Sequence, residues 1–413
     1  MKSHRFRTVG PCGRAMLAAA VFSAWIPAPA AAQQLRVSAL DRDRAVVVDE
    51  AVAPAAAPPV PADQTPQETT PLSFFKRVEL SGFVDTYYSY NFNTPGTRQT
   101  ALRNFDAQHN SFNLSLAEVS LEKRPTAESR GGFHIDLDYG PTAATVHSAE
   151  PGGTPVFQNI GQAYLSYLAP VGTGLQVDVG EFLTPIANKV EVIKTTNDWN
   201  YSRSWLFSVG IPYYHAGLRA NYAFSDRIAV TGYLVNGWNN AVDNNTGKTV
   251  ALQATLKPLA ALTVAESYMG GPEQQNNNSD WRHVWDTQVI YTARPGISVA
   301  GVYDLGQDTL AGATVRWQSV AGYLRYQPNA WFALSPRFEY YNDRDGFTTG
   351  AAQKLKDLTI TGELKHKDGV VLRVEYRHDV SDVPFFLKNA TQQIDHQDTF
   401  TVGLVYAFSS KAP

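Results

Sequence analysis

The chain reads as all-β: a transmembrane antiparallel up-and-down β-barrel of about sixteen strands, with short periplasmic turns and long extracellular loops. Three observations carry this expectation. Hydrophobicity alternates with period two from Arg77 to Phe408. Although 44% of the 413 residues are hydrophobic, no apolar run of about 18 residues follows the N-terminal segment, so no membrane-spanning helix is available. Short turn-forming connections also alternate with long polar ones along the whole segment.

The N-terminal segment comes first. Lys2, Arg5, Arg7 and Arg14 precede the apolar stretch Ala15 to Ile26, then Pro27, Pro29 and the small residues Ala30, Ala31 and Ala32. This is the layout of a signal peptide over residues 1–32. Cleavage there would take away Cys12, the single cysteine, and four cations with no acid, lowering the formal charge from −3 to about −7. Residues 33–71 carry Pro54, Pro58, Pro59, Pro61, Pro66 and Pro71 among alanines. They read as a disordered Ala/Pro-rich periplasmic linker. Residues 72–413 form the barrel.

Within the barrel, Val78, Leu80, Val84, Thr86, Tyr88, Tyr90 and Phe92 share one phase, against Arg77, Glu79, Asp85, Ser89 and Asn91. Side chains alternate across a strand, so each such segment has a greasy face and a polar face. The alternation predicts strands near 77–92, 111–123, 131–140, 160–169, 174–182, 213–224, 227–236, 248–257, 261–269, 282–293, 296–305, 312–327, 330–342, 355–366, 369–379 and 397–408. The phase switches between Leu116 and Val119, which points to a bulge or a misread register. Ser225-Asp226, Lys257-Pro258, Arg294-Pro295, Pro328-Asn329 and Lys367-Asp368-Gly369 are turn chemistry. The intervening stretches 93–110, 141–159, 183–212, 237–247, 270–281, 306–311, 343–354 and 380–396 read as loops.

Size decides which face looks inward. About sixteen strands enclose a lumen too wide for side chains to fill, so the polar face lines it and the greasy face meets lipid. Closure pairs every backbone group, as hydrocarbon requires. Tyr87, Tyr88, Tyr90, Phe92, Tyr213, Tyr214, Tyr222 and Phe224 are expected in aromatic girdles. The polar phase places Arg219, Arg337, Glu339, Glu363, Lys365, Arg373, Glu375 and Arg377 toward the lumen, the last seven on three consecutive strands. Such a mixed ladder can set up a transverse field, or can simply tie neighbouring strands together as ion pairs. Stretch 183–212 contains Trp199, Tyr201, Trp205, Leu206 and Phe207, which a solvated loop has no use for. It is expected to fold inward as a constriction, lined by Glu191, Lys194, Asp198 and Arg203; packing outside the pore is the alternative.

Several short runs point to a family. Ser81-Gly82-Phe83-Val84-Asp85-Thr86-Tyr87-Tyr88, Asn113-Leu114-Ser115-Leu116-Ala117-Glu118-Val119 and Gly161-Gln162-Ala163-Tyr164 resemble OmpL-like β-barrel porins. So do Val179-Gly180-Glu181-Phe182-Leu183-Thr184-Pro185 and Asn200-Tyr201-Ser202-Arg203-Ser204 with Pro212 and Gly217. The likeness spans most of Arg77 to Phe408 and implies an outer-membrane porin. The chain departs from usual barrel C-termini in continuing from Phe408 through Ser409–Pro413.

Together these readings predict a water-filled channel in the bacterial outer membrane for passive diffusion of small hydrophilic solutes and ions. Its partners would be outer-membrane lipid and those solutes; a homotrimer would suit such a channel, though no feature demands one. The alternative is a structural or adhesive barrel whose long loops bind a partner. The pI near 6.3 argues against a nucleic-acid partner. None of His109, His134, His147, His215, His283, His366, His378 and His396 sits in a nucleophile or metal-ligand motif, so no enzyme, cofactor or metal is expected. Residues 33–71 are too short and Pro-rich for a plug domain.

Overall fold

The computed structural model describes residues 74–186, 190–192, 195–196 and 198–411. The segments read as signal peptide and linker lie outside the described residues. The strands are Glu79–Asn91 (β1), Ser111–Lys123 (β2), Gly131–Tyr139 (β3), Ile160–Ala169 (β4), Leu175–Leu183 (β5), Tyr214–Ser225 (β6) and Ile228–Val235 (β7). They continue with Thr249–Leu259 (β8), Leu262–Gln274 (β9), Asn277–Arg294 (β10), Ile297–Leu310 (β11), Ala313–Tyr326 (β12), Phe332–Asp343 (β13), Gln353–Lys365 (β14) and Val370–Ser381 (β15). A small hairpin, Phe386–Lys388 (β16) and Gln392–Ile394 (β17), precedes the last strand, His396–Ser409 (β18).

Sixteen of these strands, all but β16 and β17, close into an antiparallel barrel in which each pairs with its sequence neighbours and β1 pairs with β18. That seam runs from Ser81↔Ser409 to Asn91↔Thr399. Closure leaves no edge strand, so the ladder supplies every strand with partners on both sides.

The period-two pattern does what it predicts. On β14 the residues Leu358, Ile360 and Leu364 face outward and stay exposed, while Asp357, Thr359, Thr361 and Glu363 are buried inside. The same inversion of a soluble barrel holds on β15, with Val374 and Tyr376 outside and Arg373, Glu375 and Arg377 inside. The expected bulge is present on β2: Asp85 pairs with Leu116 and Thr86 with Leu114, so Ser115 is the extra residue. Both Ser115 and Leu116 consequently turn inward, which is the phase switch read in the sequence.

Some expectations are corrected. Stretch 270–281 is not a loop but the top of a hairpin, with β9 reaching Gln274 and β10 starting at Asn277. Stretch 306–311 likewise belongs mostly to β11. Beyond the lipid both faces of a strand meet water or polar neighbours, so alternation fades although the ladder continues. Three girdle aromatics, Tyr87, Tyr213 and Tyr214, are buried inside. Tyr87 belongs to the polar phase of β1, and Tyr213 and Tyr214 close the inward connection described next.

The long connections are structured. Between β3 and β4 lie two short helices, Pro141–Val146 (α1) and Thr154–Phe157 (α2), and between β5 and β6 lies Trp205–Val209 (α3). The β5–β6 connection enters the barrel. There Phe182, Leu183, Ile186, Phe207, Ile211 and Tyr213 pack with Tyr164 and Tyr233 of the β4–β7 wall. The other side of the same connection meets the charged wall of β13–β15.

Candidate functional site

On that charged wall, backbone groups of the connection are held by side chains of the strands. Glu375 accepts the N–H groups of Tyr201 at 2.7 Å and Ser202 at 3.0 Å. Glu339 accepts those of Trp205 at 2.8 Å and Leu206 at 2.6 Å, the first turn of α3, whose N–H groups have no partner within the helix. Ser204 caps the same helix by accepting the Phe207 N–H at 3.2 Å. In the opposite sense the wall arginines donate to carbonyls. Arg337 Nη1 reaches Ser202 O at 2.6 Å, Arg377 Nη1 reaches Arg203 O at 2.6 Å, and Arg373 Nη2 reaches Asp198 O at 2.7 Å. Irregular backbone at membrane depth needs such partners, and the ladder provides them.

The charges are mutually compensated. Arg337 bridges Glu191 at 2.8 Å and Asp357 at 2.7 Å. Arg377 lies 2.8 Å from Asp357 and 2.6 Å from Asp379, with its guanidinium over the Trp205 ring. Arg373 pairs with Glu363 at 2.6 Å, and Arg325 pairs with the same carboxylate. A second connection joins in: Arg103, between β1 and β2, reaches Asp106 at 2.7 Å, Asp379 at 3.4 Å and Thr399 Oγ1 at 2.8 Å.

One contact crosses to the closing seam. The Tyr201 ring lies against Gly403 of β18, where a Cβ would overlap it, and beside the Tyr87 ring, with centroids 5.9 Å apart. Its hydroxyl donates to Asp85 Oδ1 at 3.0 Å. Burial, reinforced by the Asp85 charge, pushes that hydroxyl well above the ordinary tyrosine range, so it stays a donor.

A family profile described as "Putative beta-barrel porin-2, OmpL-like" matches residues 77–408. The chain belongs to this OmpL-like family of outer-membrane porins. No curated protein sequence matches it. Solved structures with this fold include an anion-selective porin from Comamonas acidovorans, at 10% identity over 80% of this chain and 99% of that one, with TM-score 0.56. The trimer form of OmpT from Vibrio cholerae matches at 10% identity over 80% and 99%, TM-score 0.54. The outer membrane channel DcaP of Acinetobacter baumannii matches at 12% identity over 80% and 97%, TM-score 0.52. Likeness at these identities is of fold alone.

In this OmpL-like porin, seven of the eight residues expected toward the lumen are buried inside: Arg219, Arg337, Glu339, Glu363, Arg373, Glu375 and Arg377. Lys365 is half-buried lower on β14, 3.5 Å from Glu363. Arg219 stands apart on β6, 2.8 Å from Asp178 and stacked on Tyr164 and Phe182. Of the constriction candidates, Glu191 and Arg203 are buried within the connection, Arg203 Nε donating to Val192 O at 2.9 Å and lying 3.3 Å from Asp198. Lys194 lies outside the described residues. The ion pairs among strands thus coexist with ties to the connection. Sequence reasoning passed over Asp357, Asp379 and Arg103. The first two share the inward phase of Glu363 and Arg377, so the signal was available; Arg103 sits in a loop and carried none.

Proposed function

We propose that the protein is a non-enzymatic outer-membrane channel for small hydrophilic solutes and ions, narrowed by the β5–β6 connection. The observation that supports this reading most strongly is how that connection is held. Its backbone N–H groups donate to Glu339 and Glu375 and its carbonyls accept from Arg337, Arg373 and Arg377 of a charge-paired wall, which supports reading it as a constriction held at a defined register. The inward residues named above, with Lys194, would then line or shape the pathway. Paired opposite charges favour modest selectivity and a transverse orienting field over strong preference for one sign.

In this reading residues 1–32 are removed on export, 33–71 stay periplasmic, and the long connections face the exterior. Intact mass of the exported protein checks the cleavage site. A homotrimer, as in the trimer form of OmpT, is the assembly we propose, and sedimentation in detergent tests it. The deciding experiment is conductance of the refolded mature chain in a planar bilayer with a salt gradient. Stable ohmic steps with a small reversal potential are expected. Folded protein giving no steps would overturn the channel and favour an adhesive barrel working through its outer loops.

A further inference from the structure

At the long-connection end of β12–β14, the outer surface changes from greasy to cationic. On β14 the outward residues run Leu364, Ile360, Leu358, then Lys356 and Lys354, both exposed. Residues two apart share a face about 7 Å apart, so the lysines stand in line above the lipid-facing band. The apolar band continues on both neighbouring strands. Lys356 pairs with Tyr340 and Lys354 with Asn342 of β13, below which Phe338 and Leu334 face outward; on β15 Tyr376, paired with Ile360, and Val374 face outward too. Arg344 follows β13, exposed. It lines a cavity of about 350 Å³ together with Asn342, Ala352, Gln353, Lys354 and Asp382.

Among the described residues, no ion pair is made by Arg344, Lys354 or Lys356. Nearby, Asp382 accepts the Lys354 N–H at 2.7 Å and Asp345 accepts the Arg316 N–H at 2.8 Å; both carboxylates keep their charge and are outnumbered by the surrounding cations. On β12 the outward residues are Gln318, level with Asn342, and the exposed Arg316 one step above it, so the cations span β12, the end of β13 and β14.

We propose that this surface is a docking site for a phosphorylated lipid of the outer leaflet, its acyl chains against Leu358, Ile360, Leu364 and Phe338 and its phosphates against Lys356, Lys354 and Arg344. Charge complementarity and depth argue for this occupant. Unpaired cations one step above an exposed apolar band sit where headgroup phosphates lie, and the open notch beside Arg344 and Lys354, which Asp382 also lines, lets one phosphate reach both cations. The proposal rests on the orientation given above, with long connections outward.

The test is native mass spectrometry of the full mature chain in zwitterionic detergent, titrated with bisphosphorylated lipid A. Each cation beside an anionic headgroup contributes about fivefold in affinity. The triple variant R344Q/K354Q/K356Q is therefore expected to lose on the order of 100-fold, and dephosphorylated lipid A should bind the native chain as weakly. R227Q, at the opposite rim, should change nothing, and millimolar inorganic phosphate should not displace the lipid. Heat-modifiable gel mobility verifies folding, and K356Q alone, expected to lose about fivefold, serves if the triple variant fails to fold. Equal retention by variant and native chain, or equal binding of dephosphorylated lipid A, would overturn the site. Preference for phosphatidylglycerol would overturn the outer-leaflet occupant. Channel conductance is read separately, so the site can fail while the channel stands.

Discussion

Gly403 is a single position where the inner wall and the inward connection meet without space to spare. The Tyr201 ring occupies the place a side chain would take, and its hydroxyl is spent on Asp85. Valine there would force the ring away and break that hydrogen bond, at a cost of about 1–3 kcal/mol for overpacking. G403V should therefore lower the unfolding midpoint in denaturant and raise single-channel conductance. Combining it with Y201A should recover most of the stability, because the clash has gone. If the double variant is no better than G403V, the ring is not what Gly403 accommodates. This contact is not legible in the sequence: glycine on a strand signals only close approach, and nothing in the chain names the partner lying more than 200 residues away.

At the scale of elements, the strands were legible and the inward connection only half so. Alternation located β2 and β4 to the residue, because one face must meet lipid along the whole element. It failed at β9 and β10, where the hairpin Gln274 to Asn277 continues the ladder through polar sequence. Aromatic content gave away that the β5–β6 connection folds inward, since Trp205, Leu206 and Phe207 are fully buried. What holds it was hidden, because the grip is on backbone: Glu339 and Glu375 bind N–H groups that any residue possesses. Removing both carboxylates strands those donors, about 1–3 kcal/mol for each group left unpaired. E339A/E375A should keep its barrel circular dichroism yet become sensitive to limited proteolysis within 198–209, with larger and noisier current steps. An unchanged cleavage pattern would mean that the apolar contacts of Phe207, Ile211 and Tyr213 suffice.

For the whole molecule, membrane insertion depends on the outward face as a unit. Leu358, Ile360 and Leu364 on β14 and Val374 on β15 belong to one lipid-facing band. An arginine in place of Ile360 should cost about 2–4 kcal/mol near the midplane, read as reduced folding yield into vesicles, whereas one at Gln318 should be tolerated. The closed order of strands has a further consequence in time. β1 finds its second partner only in β18, with Leu80 bonded to Ser410 across 330 residues. Until the C-terminus is delivered, the nascent sheet keeps an open margin at each side, and bringing the ends together carries the loop-closure cost of nearly the whole chain. The wall that grips the inward connection is likewise made of the last strands to arrive, β13 to β18. A ribosome-released fragment ending before β13 would therefore possess neither a sealed circumference nor a seat for its own inward connection, and completion is a single late event.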